Sequence, residues 1–249
     1  MNKYVIYTSL TGGYDELPQY EVLDDRFDYI CFSNDYPDSS KKGQWEIRKI
    51  PINFNNKATL SRFAKLQPHI VLPDYEYSIW IDSNITVLDR TFYDMLFDKI
   101  AEGGKWYGIK HPLRDCIYDE IKACLNIGLI SYPAAKRVVK KLNDENFPTH
   151  IGLFENNLIL RRHNNELVKK INEEWWSIFL TGSKRDQLSL FYIFWKEKFC
   201  PQILMKNNTR DDKALKYLNH ISNKKNSIQR HLRRMLNSFI ERIFPLFQE

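Results

Sequence analysis

The sharpest chemical signal in the sequence is a carboxylate and an amide that follow a short apolar run. Asp82 and Asn84 come directly after residues 79–81, Ile-Trp-Ile. Two oxygen-bearing side chains two residues apart can both face a hard cation, because Mg²⁺ and Mn²⁺ take one or two such ligands together with substrate phosphates. The same residue types also form Asx-type turns at strand ends, and that structural role is the alternative.

Two further polar clusters follow runs of β-strand character. Paired glycines in one of them would let the backbone approach a ligand closely. In an open α/β sheet, ligands bind beyond the carboxyl ends of the strands, and all three clusters fall at such ends. The two further clusters are Thr11-Gly12-Gly13-Tyr14-Asp15 and Asn34-Asp35.

An alternation of strands and helices is expected to position these groups. Short β-rich runs predict strands, and apolar residues at helical spacing predict helices. The resulting order predicts an α/β sandwich with a mostly parallel sheet. The predicted strands are Tyr4–Ser9, Tyr29–Ser33, Trp45–Ile50, Tyr77–Asp82, Trp106–Lys110 and Asn157–Arg161, and the predicted helices are Asn56–Gln67, Thr91–Ala101, Pro133–Leu142, Leu167–Leu180 and Asp186–Lys196.

Length and composition exclude several classes of protein. The chain has 249 residues, 43% of them hydrophobic, which is enough for one large folded domain with or without an appendage. Its apolar runs are too short to cross a bilayer, and its N-terminus lacks the apolar region of a signal peptide, so we expect a cytoplasmic protein. Four cysteines without a CxxC pair are too few for a disulfide scaffold in a chain of this size and indicate buried thiols. No protease, hydrolase, P-loop or dinucleotide-binding motif occurs.

The positive charge is confined to one end of the chain. Residues 1–205 carry 27 basic and 27 acidic side chains, whereas residues 206–249 carry ten and four. A neutral body without a recognised motif argues against nucleic acid as a partner. We therefore expect a domain over residues 1–205 and a basic tail over residues 206–249.

The tail contains a predicted basic amphipathic helix that begins near Ile228. This pattern is typical of an interfacial anchor on anionic lipid. The alternative is a helix whose apolar stripe packs on the body of the protein or on a second subunit. An oligomer is therefore one of the expected possibilities. The apolar positions are Leu232, Met235, Leu236, Phe239, Ile240 and Ile243, and the basic ones are Arg230, Arg233, Arg234 and Arg242.

Taken together, these segments resemble the GT-A-like glycosyltransferases of bacterial surface-polysaccharide loci and of plant Golgi proteins of cell-wall and mucilage synthesis, a family first catalogued as a domain of unknown function. The resemblance covers most of residues 4–196 in one order. The segments that carry it are Tyr4–Pro18, Phe27–Asp35, Trp45–Pro51, Ser61–His69, Asp74–Ile85, Lys110–Glu120, Gly152–Asn164 and Ser183–Lys196.

The resemblance implies a Rossmann-type GT-A-like α/β/α sandwich that transfers a sugar from a nucleotide sugar to a growing surface polysaccharide or another glycan, which is lipid-linked in some pathways. In GT-A enzymes an Asp-x-Asp motif at a strand end binds the Mn²⁺ or Mg²⁺ that bridges the donor diphosphate, and Asp82 and Asn84 occupy that place. The neutral Asn84 keeps one alternative open, a catalytically inactive scaffold in a polysaccharide assembly complex. On the lipid-linked hypothesis the tail would hold the protein on the cytoplasmic face of the inner membrane.

Chemical roles follow for the remaining polar residues. Glycosyl transfer develops negative charge on the leaving diphosphate and positive charge on the sugar, so cations are needed at one end and carboxylates at the other. Asp186 also has a structural explanation, since an acid in the first turn stabilises a helix. We assign Arg62 and Lys65 to the diphosphate. We assign to the nucleoside of the donor, preferentially a UDP-sugar, the residues Thr11, Gly12, Gly13, Tyr14 and Asp35.

The acid–base residues are Glu155 and Asp186, and in a retaining reaction Asp186 with Gln187 would contact the sugar. The candidates for a third metal ligand or a phosphate contact are His111, His163 and His220.

Overall fold

The computed structural model describes residues 3–13, 16–218 and 224–247. Within these residues, ten strands alternate with eight α-helices and one 3₁₀-helix (Asp186–Leu188). The strands are β1 (Tyr4–Ser9), β2 (Phe27–Phe32), β3 (Lys41–Lys42), β4 (Trp45–Arg48), β5 (Tyr77–Ile81), β6 (Ile85–Val87), β7 (Trp106–Lys110), β8 (Phe154–Arg161), β9 (Gln202–Ile203) and β10 (Leu215–Tyr217). The α-helices are α1 (Lys57–Leu66), α2 (Pro68–Val71), α3 (Thr91–Ala101), α4 (Ile117–Asn126), α5 (Tyr132–Asp144), α6 (Glu166–Thr181), α7 (Leu190–Lys196) and α8 (Lys224–Ile243).

Every predicted strand and helix has a counterpart, with one helix divided in two. The predicted helix Asp186–Lys196 is wrong as a single element, because the chain leaves helical geometry at Ser189 between the 3₁₀-helix and α7. The Ser189 hydroxyl donates to the carbonyl of Asp186, a local bond that competes with a continuous helix. Helix α4 lies outside the predicted elements, although its buried residues recur at helical spacing.

The chain divides into two compact units. The first takes in the described residues of 1–110, 155–176 and 201–222, and the second those of 111–154, 177–200 and 223–249. Strand β10 pairs with β6 in the first unit, so that unit continues beyond residue 205. The border expected at residue 205 was placed by the distribution of charge, and it does not coincide with the border of the first compact unit.

The sheet of the first unit brings three strand ends to one edge. Its strand order is β3-β4-β2-β1-β5-β8-β7-β9, and β1 lies between β2 and β5, parallel to both. The pairs β2–β4 and β7–β9 are also parallel, which confirms a mostly parallel α/β sheet. Parallel strands buried on both faces read as continuous apolar runs, as β5 does with all five residues buried.

Strand β8 runs antiparallel to β5 and brings a fourth segment to the same edge. Ile81 pairs with Leu158, and the backbone N–H of Asp82 donates to the carbonyl of Asn157 at 2.9 Å. Because the partner is antiparallel, it is the beginning of β8 that lies beside the carboxyl end of β5. Residues 155–157 therefore adjoin Asp82.

The second unit contains α4, α5, the 3₁₀-helix, α7 and α8. Helix α8 packs against α4 and α5. Its one buried side chain among the residues with described burial is Asn237, whose amide donates to the carbonyls of Leu125 and Ile130 and accepts from the N–H of Tyr132. None of the helices in the described residues has the length and apolarity needed to cross a bilayer.

The buried His163 gives the first unit a predictable response to acid. It lies just beyond β8, its Nε2 is 2.8 Å from the carbonyl of Leu72, and burial together with the nearby charge of Arg161 lowers its pKa to about 4. The unfolded side chain titrates near pH 6.5. The free energy of unfolding therefore has its full value with respect to His163 above about pH 6.5 and falls by up to about 3 kcal/mol as pH falls toward 4.

Urea unfolding midpoints between pH 7.5 and pH 4.5 test this expectation. The His163→Gln variant should show a flatter dependence on pH than the wild type, while His231→Gln, at an exposed position of α8, should keep the wild-type slope. An unchanged slope in His163→Gln would contradict the assignment.

Candidate active site

The turn after β1 closes onto the end of β2. The backbone N–H groups of Gly12 and Gly13 both donate to one carboxylate oxygen of Asp35, the second at 3.1 Å. Thr11 ties the same turn to α1 through a 2.9 Å bond from its hydroxyl to the carbonyl of Lys57. The structure thus brings these predicted residues together, with Asp35 holding the turn. Tyr14, expected to stack on the base, lies outside the described residues.

Gly12 is the position where this turn most needs a glycine. Its φ is +85°, and an added Cβ would lie 3.3 Å from Cβ of Lys57. We expect Gly12→Ala to cost about 1–2 kcal/mol of stability and to raise KM for the donor, because the turn must shift. Gly103 has φ +71° and nothing within 4 Å of an added Cβ. Gly103→Ala should show the loss of stability alone; a donor KM equally raised in both variants would contradict a role for the turn.

Asp82 is held in a fixed orientation with part of its surface exposed. Its Oδ1 accepts a 2.7 Å hydrogen bond from Nε1 of Trp80 and lies 3.7 Å from Nζ of Lys65. Both contacts use Oδ1, and the side chain is 32% exposed. The backbone from Asp82 to Ile85 forms a turn closed by a 3.0 Å bond from the N–H of Ile85. This turn is closed by backbone atoms and not by the Asp82 carboxylate, which bonds Trp80, so it is not the Asx-type turn anticipated for Asp82; it carries Asn84, which is half-buried.

Helix α1 supplies the positively charged side chains of the site. Lys65 lies on its buried face with a side chain only 2% exposed, 5.4 Å from the centre of the Trp80 ring. Arg62 precedes it by three residues, on the same side of the helix, and is half-buried. Helix α1 packs on β1. A buried ammonium beside a carboxylate places positive charge at the strand ends.

Glu155 lies at the start of β8 and forms an ion pair with Arg210. The Arg210 guanidinium lies 4.6 Å above the ring of Tyr217. The Glu155 side chain is 11% exposed, and its Oε2 is buried with no hydrogen-bond partner among the described residues. This predicted carboxylate is therefore fixed at one oxygen, and the other remains able to accept a hydrogen bond.

Beside Glu155 the structure reveals a polar cluster that the sequence did not predict. The amide nitrogen of Asn157 donates to the Thr209 hydroxyl at 2.8 Å and to the Tyr217 hydroxyl. Its oxygen, and both amide atoms of the buried Asn156, find no partner among the described residues. Buried polar groups are normally satisfied, so orphaned atoms at a strand end are a mark of ligand binding. The one sequence signal was the polar run 155–157 ahead of an apolar strand.

Asp186 and Gln187 belong to the second unit, as does Arg185. Asp186 is 5% exposed within the 3₁₀-helix. The Gln187 amide donates to the carbonyl of Phe154 at 3.3 Å, and its oxygen accepts from Arg185 at 2.9 Å. The roles of Asp186 and Gln187 toward the sugar remain predictions.

The histidines named as third-ligand candidates have other positions. His163 is fully buried against Leu72, which gives it a structural role. In the second unit, Nδ1 of His111 accepts from the backbone N–H groups of Leu113 and Arg114. His220 lies outside the described residues.

Cys31, Cys116 and Cys124 are buried thiols, as predicted, whereas the prediction is wrong for Cys200, whose thiol is free but exposed. In the second unit Cys116 lies near two polar side chains, Asp119 and His150, with one ligand atom of each residue within 4.8 Å of the others. His150 already contacts Asp115 at 2.8 Å, and both of these side chains are exposed. We assign no cation to this group.

The family of the chain follows from its sequence. Residues 16–220 match the family model described as TOD1/MUCI70, glycosyltransferase-like domain. The chain belongs to this family. At that level it is a glycosyltransferase, as the resemblance implied. A comparison with curated proteins found no match.

Solved structures similar to this TOD1/MUCI70 domain include three glycosyltransferases. The apo structure of the WbbM bifunctional glycosyltransferase has 12% identity and a TM-score of 0.44 over 82% of this chain, which spans 38% of the WbbM chain. Mouse xyloside xylosyltransferase 1, apo form, has 10% identity and a TM-score of 0.44 over 81% of this chain and 84% of its own. Core-mannan synthase A (CmsA/Ktr4) from Aspergillus fumigatus, in an Mn/GDP form, has 10% identity and a TM-score of 0.40 over 78% of this chain and 70% of its own.

The side-chain oxygens around Asp82 in this TOD1/MUCI70 domain are suitable ligands for a hard divalent cation. Asp82 provides a charged oxygen, its Oδ2, that none of the described contacts uses. Asn84 carries an amide oxygen on the same turn. A third candidate oxygen is Oδ1 of Asn157, which has no hydrogen-bond partner among the described residues and whose backbone carbonyl accepts from the N–H of Asp82. Oxygen ligands of this kind are those that Mg²⁺ and Mn²⁺ prefer.

Proposed function

We propose that this TOD1/MUCI70 domain transfers a sugar from a nucleotide sugar, preferentially a UDP-sugar, to a growing bacterial surface polysaccharide or another glycan, with Mn²⁺ or Mg²⁺ at Asp82 and Asn84. The observation that carries the proposal is the convergence at one sheet edge of Asp82, Lys65 and the Gly12–Gly13 turn. This convergence supports a site for an anionic, nucleotide-bearing ligand.

The leaving diphosphate needs positive charge that is already in place. Lys65 is buried and held beside Asp82, so it loses little freedom when the diphosphate binds. Arg62, on the same side of α1, would add a second positive charge. A bound cation would supply further neutralisation of the diphosphate oxygens. Asp82 and Asn84 would hold this cation, and Lys65 would remain beside the Asp82 carboxylate.

The acceptor hydroxyl needs a base. Glu155 is our first candidate, because Arg210 fixes one oxygen while Oε2 is left to take a proton from an acceptor hydroxyl. In an inverting reaction Glu155 or Asp186 would act in this way. In a retaining reaction Asp186 or Gln187 would lie beneath the sugar instead.

The cellular setting is part of the proposal. We place the protein in the cytoplasm, where nucleotide sugars and lipid-linked acceptors meet at the inner face of the membrane. A peripheral position there would bring the enzyme to its acceptor.

One observation favours a second candidate, an inactive binding protein of a polysaccharide assembly complex. Asn84 replaces a charged ligand by a neutral one, which weakens cation binding. Such a protein would bind a nucleotide sugar or a glycan without cleaving the donor. Activity therefore has to be measured separately from binding.

A panel of UDP-, GDP- and CMP-sugars, each with and without Mn²⁺, tests the proposal by thermal shift. Binding to the folded state must raise the midpoint by mass action, and we expect the largest rise with a UDP-sugar and Mn²⁺. Release of free nucleotide from the same donor then distinguishes the transferase from the inactive binder. No rise with any donor would overturn the transferase, together with an inactive protein that binds nucleotide sugars.

A further inference from the structure

Helix α8 is attached to the second unit through its polar side. Asn237 is 4% exposed and makes three hydrogen bonds, to the carbonyls of Leu125 and Ile130 and from the N–H of Tyr132. Arg233 adds longer bonds to the carbonyls of residues 128 and 129. A buried asparagine with all three contacts satisfied fixes which face of the helix points inward.

The apolar side of α8 points away from this attachment. Residues of an α-helix advance by about 100° each, which places the apolar positions within about 100° of one another and opposite Asn237. These side chains are 52–66% exposed, the reverse of a helix whose apolar stripe packs on its own domain. We call them the outer stripe: Ile228, Leu232, Met235, Leu236, Phe239 and Ile243.

Basic residues border one edge of the outer stripe and cover the polar side of α8. At about 100° per residue, Arg242 lies beside Met235, whereas Arg230, Arg233 and Arg234 lie on the side of Asn237, and all four are exposed. Glu241 is the one acidic residue of the helix. An exposed apolar stripe marks an interaction surface, and exposed arginines on the polar side of the same helix favour a negatively charged partner.

A groove of about 620 Å³ lies between α4 and α8 beside the outer stripe. Its apolar lining is Leu125, Met235 and Phe239, and its charged lining is three basic residues and one acidic residue: Lys122, Arg234, Arg242 and Glu241. Apolar walls with basic groups are suited to an acyl chain and an anionic headgroup. The groove thus repeats the chemistry of the outer stripe.

We propose that the outer stripe of α8 docks on the surface of an anionic phospholipid bilayer. The helix would lie in the interface with its apolar side chains among the acyl chains and its arginines at the headgroups. Charge favours the bilayer over a second copy of the chain, because the second copy carries the same exposed arginines and offers them no complementary negative charge. This inference goes beyond the proposed reaction and does not depend on it, since the contacts described for Asp82 and Lys65 involve no residue of α8.

Vesicle flotation of the full-length protein, without donor or cation, tests the proposal. We expect binding to vesicles of phosphatidylcholine with phosphatidylglycerol, much less to phosphatidylcholine alone, and a loss of binding at high salt. Leu232→Glu should weaken binding to the anionic vesicles by about tenfold or more, since a leucine no longer enters the bilayer. Leu113→Glu is the matched control, because Leu113 is 78% exposed in the same unit but outside α8, and it should bind like the wild type.

Three results would overturn the proposal. Equal binding to both kinds of vesicle would remove the role of charge, and equal binding by Leu232→Glu and wild type would remove the role of the outer stripe. A dimer in light scattering that Leu232→Glu converts to a monomer, without vesicle binding by either, would assign the stripe to a second copy. Helical circular dichroism of each variant checks that α8 is intact.

Discussion

Asp82→Asn is expected to lower kcat/KM for sugar transfer by about 100-fold or more. The substitution keeps an oxygen for the Trp80 hydrogen bond but removes the negative charge that pairs with Lys65 and would hold the cation. Losing one preorganised electrostatic group at a reacting centre commonly costs about 10²–10³ in rate. Stability should fall as well, because the buried ammonium of Lys65 loses the negative charge that pairs with it.

Nucleotide release by purified protein measures this effect. Asp98→Asn is the matched control, since it makes the same change at an exposed position of α3, and it should keep wild-type activity. Midpoints of thermal unfolding confirm that both variants are folded. Activity within a few fold of wild type in Asp82→Asn would contradict the account of the site.

Arg161→Met is expected to have the largest effect on stability. Arg161 is fully buried and donates to the Tyr7 hydroxyl at 2.5 Å, the Lys65 carbonyl at 2.6 Å and Asn172 at 2.9 Å. Its guanidinium lies 4.9 Å from the centre of the Trp106 ring. Methionine would fill much of the space but remove all three of these donated bonds and leave the Lys65 carbonyl with a 3.4 Å bond from Tyr7, at a cost of about 3–5 kcal/mol. Because one of them is the Lys65 carbonyl, activity should fall as well.

The neighbouring arginine provides the control for this prediction. Arg162 is half-exposed and lies 3.4 Å from Glu76, so Arg162→Met should cost less than about 1 kcal/mol. Urea unfolding of both variants, followed by tryptophan fluorescence, compares the two costs. Similar losses in the two variants would show that the buried hydrogen bonds of Arg161 are not what stabilises the first unit.

The convergence of Asp35 with the Gly12–Gly13 turn could be predicted because it is a rule of topology. Parallel strands end at one edge of a sheet, so polar groups after β1, β2 and β5 had to meet there. The position of Lys65 on α1 allowed the prediction that it contacts the diphosphate. Nothing in the sequence predicts that the Lys65 side chain is buried beside Asp82. A lysine in a helical pattern ordinarily indicates an exposed face.

The cluster around Asn157 could not be predicted from spacing. Its partners Thr209 and Tyr217 are 52 and 60 residues away, and the antiparallel direction of β8, which no local pattern encodes, brings it to the edge. Helix α8 shows the same limit in another form. Its apolar stripe was evident from helical spacing, but only the hydrogen bonds of Asn237 determine that the stripe faces outward.

Calorimetric titration of UDP into the protein, with Mn²⁺ or with EDTA, tests the central claim most directly, because it measures the site without an acceptor. We predict that Mn²⁺ tightens binding of UDP to the wild type at least about tenfold and that Asp82→Asn loses this gain while still binding UDP weakly through the Gly12–Gly13 turn and Lys65. Equal UDP affinity with and without Mn²⁺ in the wild type, or an undiminished gain in Asp82→Asn, would contradict a cation-assisted nucleotide site at Asp82.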